Sequence, residues 1–190
     1  MALLEILIPL YKRLDTCIIA LDSVVTQIIN GNCSCINVWV NDDASPNISD
    51  EEFNNAFNKW MNIPFVRFSR NRINRGMSKN IYFMANTTTA KFWTILTDDD
   101  YLENDSLNDI IDTLHYADHN KIATIFTPRY SYTEQNRIHC VECNPFKSNT
   151  FLIRASALNS LQYMSCGFIL TGLFVSRNVS KQLWQEHIDN

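Results

Sequence analysis

Three consecutive carboxylates, Asp98, Asp99 and Asp100, follow the apolar run FWTIL in the segment LTDDDYL (96–102). Neighbouring acids repel one another, so holding three at the end of a buried strand makes sense only if something cationic is bound there. Carboxylate oxygens suit a hard divalent cation, and such a cation suits a diphosphate whose oxygens bridge metal and protein. The opposite charge gathers in another segment, SRNRINRGMSKN, which carries Arg70, Arg72, Arg75 and Lys79, with Arg67 just before it. A second acidic pair, Asp42 and Asp43, lies in NDDASPN, and PLYKR supplies Tyr11 and Arg13.

These four polar segments each follow a strand-like run. LLEILI (Leu3–Ile8) reads as a strand ending at Pro9, INVWV (Ile36–Val40) as a second, PFVRF (Pro64–Phe68) as a third and KFWTIL (Lys91–Leu96) as a fourth. Helical spacing separates them. Asp15 is placed to cap a helix that stops before Gly31, and Ser49 with Glu52 forms a capping-box pattern for a helix to about Met61. Met77 to Asn86 reads as a third helix and Leu107 to Ala117 as a fourth, before a fifth strand at Ile122–Thr127. Beyond it, RYSYTEQNRIHCVECNPFKSN is polar and irregular, while TFLIR and GFILTGLFV are strand-like. The alternation predicts an α/β sandwich with a mostly parallel central sheet, in which ligands bind at the carboxyl ends of the strands. That rule brings the four polar loops to one edge. Taken singly each loop is an ordinary solvated turn; together, with opposite charges segregated between them, they predict a site for a metal-bound diphosphate.

Composition narrows the class. The 190 residues are 46% apolar and 19% charged, and the net charge of −4 argues against a nucleic-acid partner. No apolar run approaches the roughly 18 residues of a membrane span, and MALLEILIPLYKR is a poor signal peptide, with Glu5 inside it and no basic segment before it. The expectation is a cytoplasmic protein without a transmembrane segment. Six cysteines then read as reduced thiols; Cys33 and Cys35, with Cys140 and Cys143 behind His139, form a minor alternative as zinc ligands. With four glycines and neither GxGxxG nor GxxxxGK[ST], a dinucleotide oxidoreductase and a P-loop nucleotidase are disfavoured.

In order, ILIPLYKR, VWVNDDASPN, RNRINRGMSKN and WTILTDDDYL resemble the motifs of the inverting GT-A glycosyltransferases of family 2, over about the first hundred residues. The resemblance implies a GT-A (Rossmann-like) α/β/α sandwich and transfer of a sugar from a nucleotide-diphosphate sugar, UDP-linked before GDP- or dTDP-linked, to a hydroxyl acceptor. It implies Mn²⁺ or Mg²⁺ as cofactor, a saccharide or lipid-linked saccharide as acceptor, bacterial surface polysaccharide assembly as the setting, and a peripheral membrane association at most. TDDDYL stands where the family has its DXD element, with Thr97 in place of the first Asp. Asp99 is then the metal ligand, Asp100 supports it and Asp98 faces the ribose. By the same resemblance Pro9 and Tyr11 line the nucleotide pocket, Asp43 accepts a hydrogen bond from the base, and Arg75, Lys79 and, less directly, Arg13 contact base or phosphate. Ala44 stands where the family's DDGS-like turn has Gly. Residues 1–190 read as one domain, with a nucleotide-sugar half at 1–103 and an acceptor-side half, shorter than in most relatives, at 104–190. The general base is sought downstream, where Glu186, Asp189 and His187 are the candidates and the polar end of a helix is the plainer reading. Two other functions stay open: a sugar-nucleotide-binding module without a base, and a nucleotidyltransferase, which PLYKRLDT disfavours for want of a glycine-rich basic loop.

Overall fold

The computed structural model describes residues 1–127, 129–133, 136–140 and 172–178. Its first half is the predicted alternation: β1 (Leu4–Leu10), α1 (Leu14–Asn30), β2 (Ile36–Asp42), α2 (Asp50–Phe57), β3 (Val66–Arg70), α3 (Met77–Thr87), β4 (Phe92–Ile95) and α4 (Ser106–His119). After β5 (Thr124–Phe126), β6 (Arg129–Thr133) pairs antiparallel with β7 (Asn136–Cys140), and β8 (Leu173–Ser176) returns to the main sheet. That sheet has the order β3-β2-β1-β4-β8-β5. β1 runs parallel to β2 and β4, β2 parallel to β3, and β8 is antiparallel to both β4 and β5.

Both faces of the sheet are covered, which is why its central strands are continuous apolar runs rather than alternating ones. Leu4, Ile6, Ile8 and Leu10 of β1 join one core with Cys17, Leu21, Val24 and Ile28 of α1, Phe53 and Phe57 of α2, and Leu107 and Leu114 of α4. Leu7 points the other way, into a smaller core with Trp39, Trp93, Ile95 and with Ile81 and Met84 of α3. Fully burying each such side chain contributes about 1.5–3 kcal/mol, enough to fix which face of each helix turns inward. The layers are helix, sheet, helix, as the resemblance implied.

Three local expectations change. β1 continues through Pro9 to Leu10 instead of ending before it. Leu96 N donates to Leu7 O and Asp43 N to Leu10 O, so alternate residues of β1 face β4 and β2. Pro9 faces the β4 side beyond the last β1–β4 pair, Leu7 with Ile95, so its missing N–H removes no ladder bond. Asp15 lies in the first turn of α1 and does not cap it; Arg13 is the N-cap, without a side-chain cap. The carboxylate instead meets the positive end of the helix dipole. Within the polar stretch expected to be irregular, Arg129–Thr133 and Asn136–Cys140 form the β6–β7 ribbon; the rest of that stretch lies outside the described residues. GFILTGLFV does contribute a strand, β8, while TFLIR lies outside the described residues.

Candidate donor site

β1, β2 and β3 succeed one another towards one edge, and β4 then starts on the opposite flank of β1. This reversal opens a crevice at the carboxyl ends of β1 and β4, where an open α/β sheet binds its ligand. The loop after β1 and the loop after β4 meet there. Tyr11 N donates to Asp98 Oδ2 at 3.1 Å, and Arg13 places one guanidinium nitrogen 3.0 Å from Asp98 Oδ1 and another against Asp99 Oδ2. Asp98 is buried and Asp99 exposed. Burial pushes the Asp98 carboxyl above its ordinary range; the Tyr11 N–H and Arg13 oppose that shift without cancelling it. Asp100 turns back on its own loop, accepting from Thr97 Oγ1, and its N–H donates to Thr97 O at 3.1 Å. Thr97 thus ties the acidic loop to itself.

The second and third loops are joined by Asp43. Its carboxylate, 3% exposed, accepts Asn71 Nδ2 at 2.7 Å, Gly76 N at 2.8 Å and Arg75 N, which is shared between both oxygens at 3.0 and 3.1 Å. These bonds fix the turn into α3, where Gly76 has φ +80°. A carboxylate has about four acceptor positions, and these four contacts, two on each oxygen, occupy them. The first loop is tied to the second in turn, with Lys12 N donating to Ser45 Oγ at 2.7 Å and Asn47 Nδ2 to Lys12 O at 3.2 Å. Ala44 sits at φ +56°, a left-handed backbone that glycine adopts more readily than alanine.

The remaining sequence candidates are placed as follows. Pro9 is half-buried at the end of β1, and the Tyr11 ring is 38% exposed beside Lys12 Nζ, 4.9 Å from its centroid. Arg75 lays its guanidinium over the Phe83 ring at 4.5 Å, and Lys79 is exposed on the first turn of α3. Two arginines counted with the site's cations serve the fold instead. Arg67 pairs with buried Glu5 at 3.0 Å and stacks on Trp39, while Arg70 pairs with fully buried Asp42 at 2.8 Å, with Asp50, and with Ile48 O at 2.7 Å. Glu5 and Asp42 would be uncompensated buried charges without them. Arg72 lines a shallow cleft of about 530 Å³ over the β2–β3 edge. Glu186, His187 and Asp189 lie outside the described residues.

Sequence reasoning gives no role to Asn41, Asn71 and Asn80, yet they connect the site to the sheet. Trp39 Nε1 donates to Ser69 Oγ at 2.8 Å, Ser69 Oγ to Asn41 Oδ1 at 2.5 Å, and Asn41 Nδ2 to Asn80 Oδ1 at 2.5 Å. Asn71 Nδ2 then spans Asn80 Oδ1 and Asp43 Oδ1 at 3.0 and 2.7 Å. A fully satisfied buried chain of this kind fixes one arrangement of the loops. The available signal is Asn41, a polar residue closing the apolar run of β2.

Among the described residues no group of three or more His, Cys, Asp or Glu converges on a metal position. The donor chemistry nevertheless fits Mg²⁺ or Mn²⁺, which are characteristically held by one or two carboxylates together with substrate phosphates. Asp99, its side chain half exposed, is the carboxylate open to such an ion. Cys33 and Cys35 are free thiols packed against the main core; Cys143, part of the alternative zinc reading, lies outside the described residues.

The model of Glycosyl transferase family 2 matches residues 5–179. The chain belongs to that family. No curated protein sequence matches this family 2 chain at a significant level. Among solved structures, the S. aureus TarS 1–349 crystal structure aligns with TM-score 0.68 at 16% identity, covering 96% of this chain and 49% of that one. The same TarS segment in complex with UDP aligns with TM-score 0.67 at 15% identity, again over 96% and 49%. The Pyrobaculum calidifontis mannosyltransferase PcManGT, in complex with GDP-Man and Mn²⁺, gives 0.51 at 16% identity over 66% and 35%. At these identities the likeness is one of fold, GT-A, and the family 2 chain spans about half the length of the TarS segment.

Proposed function

We propose that the chain transfers a sugar from a nucleotide-diphosphate donor, UDP-linked first, to a hydroxyl of a saccharide or lipid-linked saccharide acceptor, with inversion, in bacterial surface polysaccharide assembly on the cytoplasmic side. The supporting observation is the meeting of Tyr11, Arg13, Asp98 and Asp99 at the β1/β4 reversal, with the loop fixed by Asp43 alongside. In this reading residues 1–103 take the donor and 104–190 the acceptor side.

Pro9 and the Tyr11 ring wall the base, and Asp43 accepts one of its N–H groups in place of the longer contact from Arg75 N. Asp98 holds the ribose hydroxyls, and Arg75 and Lys79 meet base or phosphate. A divalent cation held by Asp99, with Asp100 in support, would stabilise the charge that builds on the leaving nucleoside diphosphate. Arg13 adds positive charge at the same place. A carboxylate among Glu186 and Asp189 is the proposed base for the acceptor hydroxyl.

Calorimetric titration of UDP with and without Mn²⁺, on the wild type and on Asp99→Ala, tests the donor half. Metal-dependent binding lost in the variant is expected. Absence of binding by UDP, GDP and dTDP with metal present would overturn the proposal.

A further inference from the structure

The Asp98–Asp99 pair already has a cation, and that cation belongs to the chain. Arg13 spans both carboxylates, one buried and one open to solvent, with its own side chain 54% exposed. Its backbone is fixed: Arg13 is the N-cap of α1, its carbonyl accepts Cys17 N at 3.1 Å and Thr16 Oγ1 at 3.3 Å, and Lys12 before it is held by Ser45. Releasing the two carboxylates therefore needs movement of the side chain and none of the backbone. The Asp98 half compensates a buried carboxylate, but the Asp99 half is a pair of exposed side chains, which contributes little to stability and calls for another explanation.

We propose that Arg13 is a resident counter-ion, which occupies the divalent-metal position of the donor-free protein and yields it only when a nucleoside diphosphate arrives. The inference rests on the donor-site reading above. A guanidinium and a divalent cation cannot share the same carboxylate oxygens, because they repel and compete for the same lone pairs. Metal entering alone must expel Arg13 into water, with no anion to receive it. Metal entering with a diphosphate gives Arg13 a better partner, since the planar fork matches phosphate oxygens bidentately. Metal and nucleotide therefore bind with positive coupling, and by linkage each raises the affinity of the other equally. Lysine could not reproduce the bridge, because a single ammonium does not span two carboxylates with fixed geometry.

The test is titration of Mn²⁺ alone into the full chain, read by the electron paramagnetic resonance of free Mn²⁺, for wild type, Arg13→Gln and Arg13→Lys. Circular dichroism melts check that each variant is folded. Arg13→Gln is expected to bind Mn²⁺ alone about two- to fivefold more tightly than wild type, the equivalent of losing one exposed ion-pair competitor. Arg13→Lys falls between them. With UDP added, the order reverses, and Arg13→Gln binds the UDP–Mn²⁺ pair less tightly than wild type. Equal or weaker Mn²⁺ binding by Arg13→Gln in the absence of nucleotide, or no Mn²⁺ binding by any of the three, would overturn the counter-ion role. Failure of the wild type to bind UDP at all would instead overturn the donor reading, and the Mn²⁺-only comparison would still decide the role of Arg13.

Discussion

Asp43 Oδ2 lies 2.8 Å from the backbone nitrogen of Gly76, joining the end of β2 to the residue that opens α3. Asp43→Asn would turn an amide N–H towards backbone N–H groups that need an acceptor. A loss of about 1 kcal/mol in urea unfolding is expected, the cost of weakening part-buried hydrogen bonds. Because the same bonds position Arg75, UDP affinity in the presence of Mn²⁺ should fall about tenfold or more. A variant with wild-type UDP affinity would separate Asp43 from the donor site.

Ala44 adopts φ +56° at the tip of the same turn. A left-handed backbone costs a non-glycine residue roughly 1–2 kcal/mol, while glycine gives back about 0.5–1 kcal/mol through the greater freedom of the unfolded chain. Ala44→Gly should therefore stabilise the protein by about 0.5–1 kcal/mol, seen as a higher urea midpoint at unchanged slope. An unchanged midpoint would show that the alanine carries no strain.

At the start of α2, Ser49 N donates to Glu52 Oε2 at 2.7 Å and Glu52 N donates to Ser49 Oγ at 3.1 Å. The hydrogen bond from the Ser49 backbone holds the Glu52 carboxyl below its ordinary range. A folded pKa below the unfolded one means the contribution is complete above the unfolded pKa and is lost as pH falls through the folded one. The stability gap between wild type and Glu52→Ala, followed by urea unfolding from neutral pH downwards, should shrink through the carboxylate range. A gap independent of pH would mean that Glu52 contributes through something other than its charge.

The loop cluster at the carboxyl ends of the strands was legible because apolar strands and charged loops alternate, and one topological rule places those loops together. LTDDDYL and NDDASPN could be assigned to the sheet edge from the strand runs before them. The division of labour among the arginines could not. Arg67 and Arg70 have the same residue type and the same segment as Arg75, and only the three-dimensional partners, Glu5, Asp42 and Asp50, set them apart. The asparagine chain was hidden for a similar reason: Asn41, Asn71 and Asn80 are far apart in sequence and ordinary in composition, and their meaning is in who bonds to whom. The β6–β7 ribbon escaped notice because a strand rich in Arg, Ser, Thr and Asn lacks the apolar period that marks a half-buried one.

β8 lies between β4 and β5, although Leu173 follows Phe126 by a long stretch of chain. During synthesis β1 to β4 can assemble as soon as they leave the ribosome, but the free side of β4 stays an open edge until β8 emerges. The last sheet pairing closes a loop of high contact order, which is slow to form and leaves backbone donors and acceptors available to other chains meanwhile. Gly172 marks where this late strand begins: its φ is +87°, and a side chain there would come within 2.9 Å of Thr127 Oγ1. The aggregation risk of this fold is concentrated in that interval of translation, at β4, the strand that leads into the acidic triplet.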